Sequence, residues 1–99
     1  MKVFGKYISI LGAGESGVGA ALLAKKNKIE CFVSDSGPIS EAYKKELELA
    51  NIPYEENGHS KEKILNSGYI VKSPGIPGDV PICLEARSQN ILVGSEIEF

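Results

Sequence analysis

Three short loops carry the residue types that could do chemistry. The first, Gly12-Ala13-Gly14-Glu15-Ser16-Gly17, is a GxGxxG pattern between an apolar run and a helix-like run. That context gives the glycines distinct jobs. Gly12 permits a tight turn. Gly14 lets the backbone approach a diphosphate, and Gly17, helped by Gly19 and Ala20, lets the helix pack close to its strand. Free N–H groups and the positive end of the helix dipole then attract an anion. The alternative is a glycine-rich turn that holds no ligand.

The second candidate is Asp35 in Ser34-Asp35-Ser36-Gly37-Pro38. It lies roughly 20 residues beyond the glycines, where dinucleotide-binding domains place an acid against a ribose hydroxyl. A carboxylate can equally accept N–H groups from a base, and Asp also favours such turns for local reasons. The third is Ser73-Pro74-Gly75-Ile76-Pro77-Gly78. Pro74 biases Ser73 to an extended conformation, and Pro-Gly is the central pair of a type II turn. The loop is expected to be stiff, with Ser73 offering a hydroxyl or N–H to a phosphate, or serving only as a rigid connection. Glu15 is unfavourable beside a phosphate unless it turns away or meets a cation. Lys72 is either that partner, a phosphate contact or an ordinary solvated lysine.

These loops need elements to position them. Apolar runs at residues 7–11, 30–34, 52–55, 69–72 and 91–93 are expected strands. Helix-like runs at 16–28, 40–50, 61–66 and 81–89 alternate with them, which is the signature of a parallel α/β sheet. Val18, Ala21 and Leu22 are expected to face the sheet from the first helix, and Tyr43, Leu47 and Ala50 from the second. Ser40 and Ser60 are candidate N-caps, and Pro81 suits a first helical turn. Pro53 cannot donate to a ladder, so the third strand belongs at an edge. Right-handed crossovers then predict a Rossmann-like doubly wound sheet of order 3-2-1-4-5. The first and fourth strands flank the switch point, where ligands bind at the carboxyl ends.

Composition limits the classes. The 99 residues make one domain, 42% hydrophobic and 24% charged, with net charge −2. That balance argues against a non-specific nucleic-acid binder. No apolar run is long enough for a membrane span, and the start, Met1–Lys6, is too short in apolar residues for a signal peptide, so a cytoplasmic location is expected. Cys31 and Cys83 lack CxxC spacing and read as reduced, buried thiols. The lone His59 is a poor metal site. There is no GxxxxGK[ST] pattern and no nucleophile elbow.

Taken together, the glycine motif, Ser34-Asp35, Lys72-Ser73-Pro74-Gly75-Ile76-Pro77 and Gly94-Ser95-Glu96-Ile97-Glu98-Phe99 resemble the N-terminal domain of the Mur ligases. Among them the pattern is most similar to the branch that adds D-glutamate during peptidoglycan synthesis. The resemblance spans the whole chain, and the Ser-Pro-Gly-Ile-Pro and Ser-Glu-Ile-Glu-Phe stretches are its specific parts. It implies a domain that binds the UDP part of UDP-N-acetylmuramoyl-L-alanine. Gly12, Gly14, Glu15, Ser16 and Gly17 would lie at the diphosphate, Asp35 and Ser36 at the uracil, and Ser73, Pro74 and Gly75 across the pocket.

Two departures stand out. Family members can carry an uncharged residue in place of Glu15, so a contact there is expected through backbone N–H. Some place an arginine where this chain has Gly37, a contact absent here. The resemblance also implies a parent of three domains, an ATP-dependent amide ligase of cell-wall biogenesis, cell division and cell shape. ATP and Mg²⁺ would belong to its central domain and the amino acid to its third. This chain would be an inactive fragment that positions substrate, with no catalytic residue and no cofactor of its own. The alternatives are an NAD(P)-binding module of a dehydrogenase or regulatory sensor, and a ligand-free interaction domain.

Overall fold

The computed structural model describes residues 7–74, 76 and 80–95. Nine elements alternate among the described residues: β1 (Ile8–Leu11), α1 (Glu15–Lys26), β2 (Cys31–Ser34), α2 (Glu41–Leu49), β3 (Tyr54–Glu55), α3 (Lys61–Leu65), β4 (Tyr69–Lys72), α4 (Pro81–Ser88) and β5 (Leu92–Gly94). The strands form one parallel sheet in the order β3-β2-β1-β4-β5, as expected. Ile8 pairs with both Cys31 and Tyr69, and Leu11 with both Ser34 and Lys72. The carboxyl ends of the three central strands are therefore level, and their loops emerge side by side.

Strand alternation divides the core between the two faces. Ile8, Ile10, Cys31, Val33 and Val71 pack with Val18, Ala21 and Ala24 of α1 and Leu47 of α2. Leu11, Phe32 and Ile70 point the other way, against Ile64 of α3 and Cys83 and Ala86 of α4. Covering both faces is what lets a parallel sheet survive, and here it shields the central strands β1 and β2 along their whole length. Leu22, expected against the sheet, is 37% exposed, and Ala24 takes the inward place instead. The small residues Gly17, Ala21 and Ala24 allow α1 a close approach that a row of leucines would prevent.

Helix ends follow their local chemistry. The Ser40 hydroxyl accepts the Tyr43 N–H, as an N-cap should. Ser60 occupies the N-cap position of α3, but its side chain is used elsewhere. Pro81 opens α4. Three helices end alike. Lys28, Asn51 and Asn90 adopt positive φ, and the next residues, Ile29, Ile52 and Ile91, donate back to Ala24, Leu47 and Ala86. Together with bonds from Lys28, Asn51 and Asn90 to Lys25, Glu48 and Arg87, these are Schellman closures that turn each helix toward its next strand. Among the described residues no helix is long and apolar enough to cross a membrane.

Candidate functional site

The site is assembled at the carboxyl ends of β1, β2 and β4. Gly12 leaves β1 with φ +98°, a conformation that disfavours any side chain, and its N–H donates to Ser34 O at 2.8 Å. Gly17 begins the buried face of α1. A Cβ there would meet the Gly12 carbonyl oxygen at 1.7 Å, so only glycine lets the helix start this close to the strand. Gly14 is the N-cap and has no side chain to satisfy the first turn. A Cβ on Gly14 would meet nothing within 4 Å, so its backbone faces open space. Glu15 and Ser16 are exposed beside it, and Glu15 has no hydrogen-bond or ion-pair partner among the described residues. Gly19 is exposed with open space around it and does not share the packing role expected of it.

Asp35 is used as a clamp. One carboxylate oxygen accepts the Ala13 N–H at 2.8 Å, and the other accepts the Gly37 N–H at 2.9 Å. The second bond is the local Asp turn considered from sequence. The first ties the glycine loop to the end of β2. Ser36 is exposed in that turn. Two further bonds fasten the turn to the segment after β3: Gly58 N–H to Asp35 O at 3.1 Å and Asn57 N–H to Gly37 O at 2.9 Å.

Ser73 donates its N–H to Leu11 O at 3.0 Å, and its carbonyl accepts the Ile76 N–H at 3.0 Å, closing a four-residue turn. Its hydroxyl oxygen is buried without a partner among the described residues. It lies 2.6 Å from the place a Gly12 Cβ would occupy and 3.4 Å from that of Gly17. Ser73 therefore fills the space the two glycines leave. Pro74 is exposed; Gly75, Pro77 and Gly78 lie outside the described residues, as do Met1–Lys6 and the terminal Glu96–Phe99. The Lys72 ammonium donates to Ile76 O at 2.9 Å. It braces its own loop, and is neither the partner of Glu15 nor a freely solvated lysine.

A polar cluster behind Asp35 escaped the sequence reading. The Ser34 hydroxyl, fully buried, lies 2.7 Å from Glu55 Oε2 and 2.6 Å from His59 Nδ1. Ser60 donates its N–H to Glu55 Oε2 and its hydroxyl to Glu55 Oε1. Burial alone raises the Glu55 carboxyl. The Ser60 N–H, the two hydroxyls and the nearby Lys63 charge outweigh that and hold it below the usual glutamate range. Glu56 accepts the Ile39 N–H at 2.9 Å and pairs with Lys44 at 2.7 Å. The signal was a serine ending a buried strand with a glutamate in register beside it, Ser34 opposite Glu55.

A level parallel sheet with a glycine loop at its switch point defines a Rossmann-like α/β domain. Likeness to solved structures agrees on the fold. A murein peptide ligase of Psychrobacter arcticus matches with TM-score 0.78 at 22% identity over 90% of this chain and 18% of its own. A UDP-N-acetylmuramate-alanine ligase of Thermotoga maritima matches with TM-score 0.71 at 23% identity, over 90% of this chain and 20% of its own. A precorrin-2 dehydrogenase also matches, with TM-score 0.66 at 14% identity over 94% of this chain and 45% of its own, so the fold alone does not choose a ligand.

The family is decided by sequence: residues 7–82 match the model of the MurD N-terminal domain, and the chain belongs to that family. UDP-N-acetylmuramoylalanine–D-glutamate ligases of Cytophaga hutchinsonii and Bacteroides thetaiotaomicron are 58% and 52% identical to it over 93% and 95% of this chain. The chain spans about a fifth of the length of those relatives, 20% and 21% respectively.

Proposed function

We propose that this domain holds the UDP part of UDP-N-acetylmuramoyl-L-alanine for a parent ligase that joins D-glutamate to it. The observation that carries the reading is the open first turn of α1. Gly14 leaves its N–H groups uncapped, at the level where the loops after β1, β2 and β4 meet. An oriented set of N–H groups at a helix N-terminus suits a diphosphate. The uracil would lie toward Asp35 and Ser36, with the Ser73-Pro74-Gly75 loop as the opposite wall. Ser73 contributes there by shaping the glycine loop, because its hydroxyl is turned beneath it.

The parent would be an ATP-dependent amide ligase of peptidoglycan synthesis in the cytoplasm, serving cell division and cell shape. Its chemistry is not assigned to this chain. ATP and Mg²⁺ would be bound by the central domain of that parent, and the present sequence has no GxxxxGK[ST] loop. The chain's part is to orient the substrate for domains that carry the reaction, and it is inactive alone.

The test is a titration of this chain with UDP-N-acetylmuramoyl-L-alanine, UDP, NADH and ATP, followed by the melting temperature. A ligand of the native state raises it by mass action. Stabilisation by the two UDP compounds and not by NADH or ATP supports the reading. Preference for NADH would replace it with the dinucleotide alternative that Asp35 and the fold also suit.

A further inference from the structure

The hydrogens of the cluster behind Asp35 follow from its geometry. Glu55 is held as a carboxylate, which only accepts. Ser34 Oγ, 2.7 Å away, must therefore donate its single proton to Glu55. Gly58 O, at 3.5 Å, is too far to compete, and Ser34 is fully buried, away from water. The remaining contact, to His59 Nδ1 at 2.6 Å, then has one sense: Nδ1 carries the hydrogen and Ser34 Oγ accepts. In a neutral imidazole that leaves Nε2 bare, and an imidazolium keeps the Nδ1 donor too.

Ser34 is also the residue whose carbonyl accepts the Gly12 N–H. Asp35 follows it and donates its own N–H to Glu55 O at 3.1 Å. We infer that His59 is a positioning residue. Its Nδ1–H holds Ser34, Ser34 holds Glu55, and this relay fixes the carboxyl end of β2, and with it Asp35 and the glycine loop. The relay stands on this geometry together with a Glu55 carboxylate that takes the Ser60 N–H and hydroxyl on its two oxygens; its effect on ligand rests on the UDP reading above.

His59 is the only histidine, so its ring nitrogens can be read without ambiguity. Long-range ¹H–¹⁵N spectra of this chain at alkaline pH, where imidazole is neutral, are expected to show a protonated Nδ1. Ser34→Ala is expected to remove that preference. A ring protonated mainly on Nε2 in the unsubstituted chain would overturn the inference.

Positioning is tested with two substitutions. His59→Leu removes the donor, whereas His59→Asn keeps an amide N–H near the place of Nδ1. The Ala13 and Asp35 amide resonances should shift in His59→Leu and return toward their original positions in His59→Asn. UDP affinity should fall about fivefold in the first and recover in the second, the effect of one neutral hydrogen bond. Unmoved amides in His59→Leu, or no recovery in His59→Asn, sink the positioning role. A chain that binds no UDP at all defeats the ligand reading, while the ring and amide spectra still decide the relay.

Discussion

The two sides of the candidate site are built on opposite principles. At the start of α1 the protein leaves its own groups open: Gly14 has no side chain to cap the helix, and open space faces it. At the ends of β2 and β3 the carboxylates are engaged, with Asp35, Glu55 and Glu56 all accepting from neighbouring backbone N–H groups. The contrast separates a surface that waits for a partner from the frame that holds it still. Backbone N–H groups left uncapped at a helix start are natural donors to an anion. Carboxylates that are already satisfied would act on the proposed ligand through the loops they tether.

The comparison can be broken most sharply at the glycines. Gly17→Ala drives a Cβ into the Gly12 carbonyl, a backbone atom that cannot swing aside. The loss should exceed the ~3 kcal/mol upper range of ordinary overpacking, read as a collapse of the urea midpoint. Gly14→Ala meets nothing, sits at φ −84°, and should change stability by less than about 1 kcal/mol. If it also weakens UDP binding, open and frame regions are cleanly separated. Equal destabilisation by the two would erase the distinction.

Asp35→Ala comes next. It strands the Ala13 N–H, in a residue only 3% exposed, at a cost of about 1–3 kcal/mol in denaturant unfolding. Any loss of UDP affinity in that variant then has two sources, so the stability measurement must accompany the titration. A variant as stable as the unsubstituted chain would show that the clamp is dispensable.

Lys28→Gly is a control outside both regions. Lys28 has φ +61° at the Schellman closure of α1, where glycine avoids strain, so a gain of about 0.5–1 kcal/mol in stability is expected. UDP affinity should stay the same. A parallel change in affinity would mean that binding tracks global stability, and the local comparison would lose its force.

The smallest effect should come from Glu55→Gln. A folded-state carboxyl held below its unfolded value stabilises above the unfolded pKa, and that contribution is lost as pH falls through the folded one. Stability of the unsubstituted chain should therefore decline below about pH 4.3, the ordinary glutamate value, more steeply than that of the variant. The partial exposure of Glu55 keeps the difference modest. Identical acid limbs would remove Glu55 from the frame.

Much of this arrangement was legible because periodicity and punctuation are local. The alternation of apolar runs and helices fixes the strand order once crossover handedness is applied, and Tyr69–Lys72 and Pro81 fell where expected. The glycine loop was equally plain. What stayed hidden depends on distant partners. Ser60 was expected to cap α3, yet its hydroxyl serves Glu55 across a turn. Lys72 was read as a partner of Glu15, a phosphate contact or a solvated lysine, yet it reaches Ile76 O. His59 was weighed only as a metal ligand, because nothing nearby in sequence reveals that Ser34 packs against it. Leu22 was placed inward by helical spacing, but α1 approaches through its small residues.

The two thiols have a practical consequence. Cys31 and Cys83 are both buried and unpaired, and burial pushes the Cys31 thiol up to about 11 and raises Cys83 as well. Thiolate is the reactive form, so neither should react appreciably with maleimide at neutral pH in the folded chain. A single cysteine introduced at exposed Ser36 would then be the one labelled position. A fluorophore there would test the proposed uracil position by obstructing it, and slow labelling of the native pair would time the opening of the core.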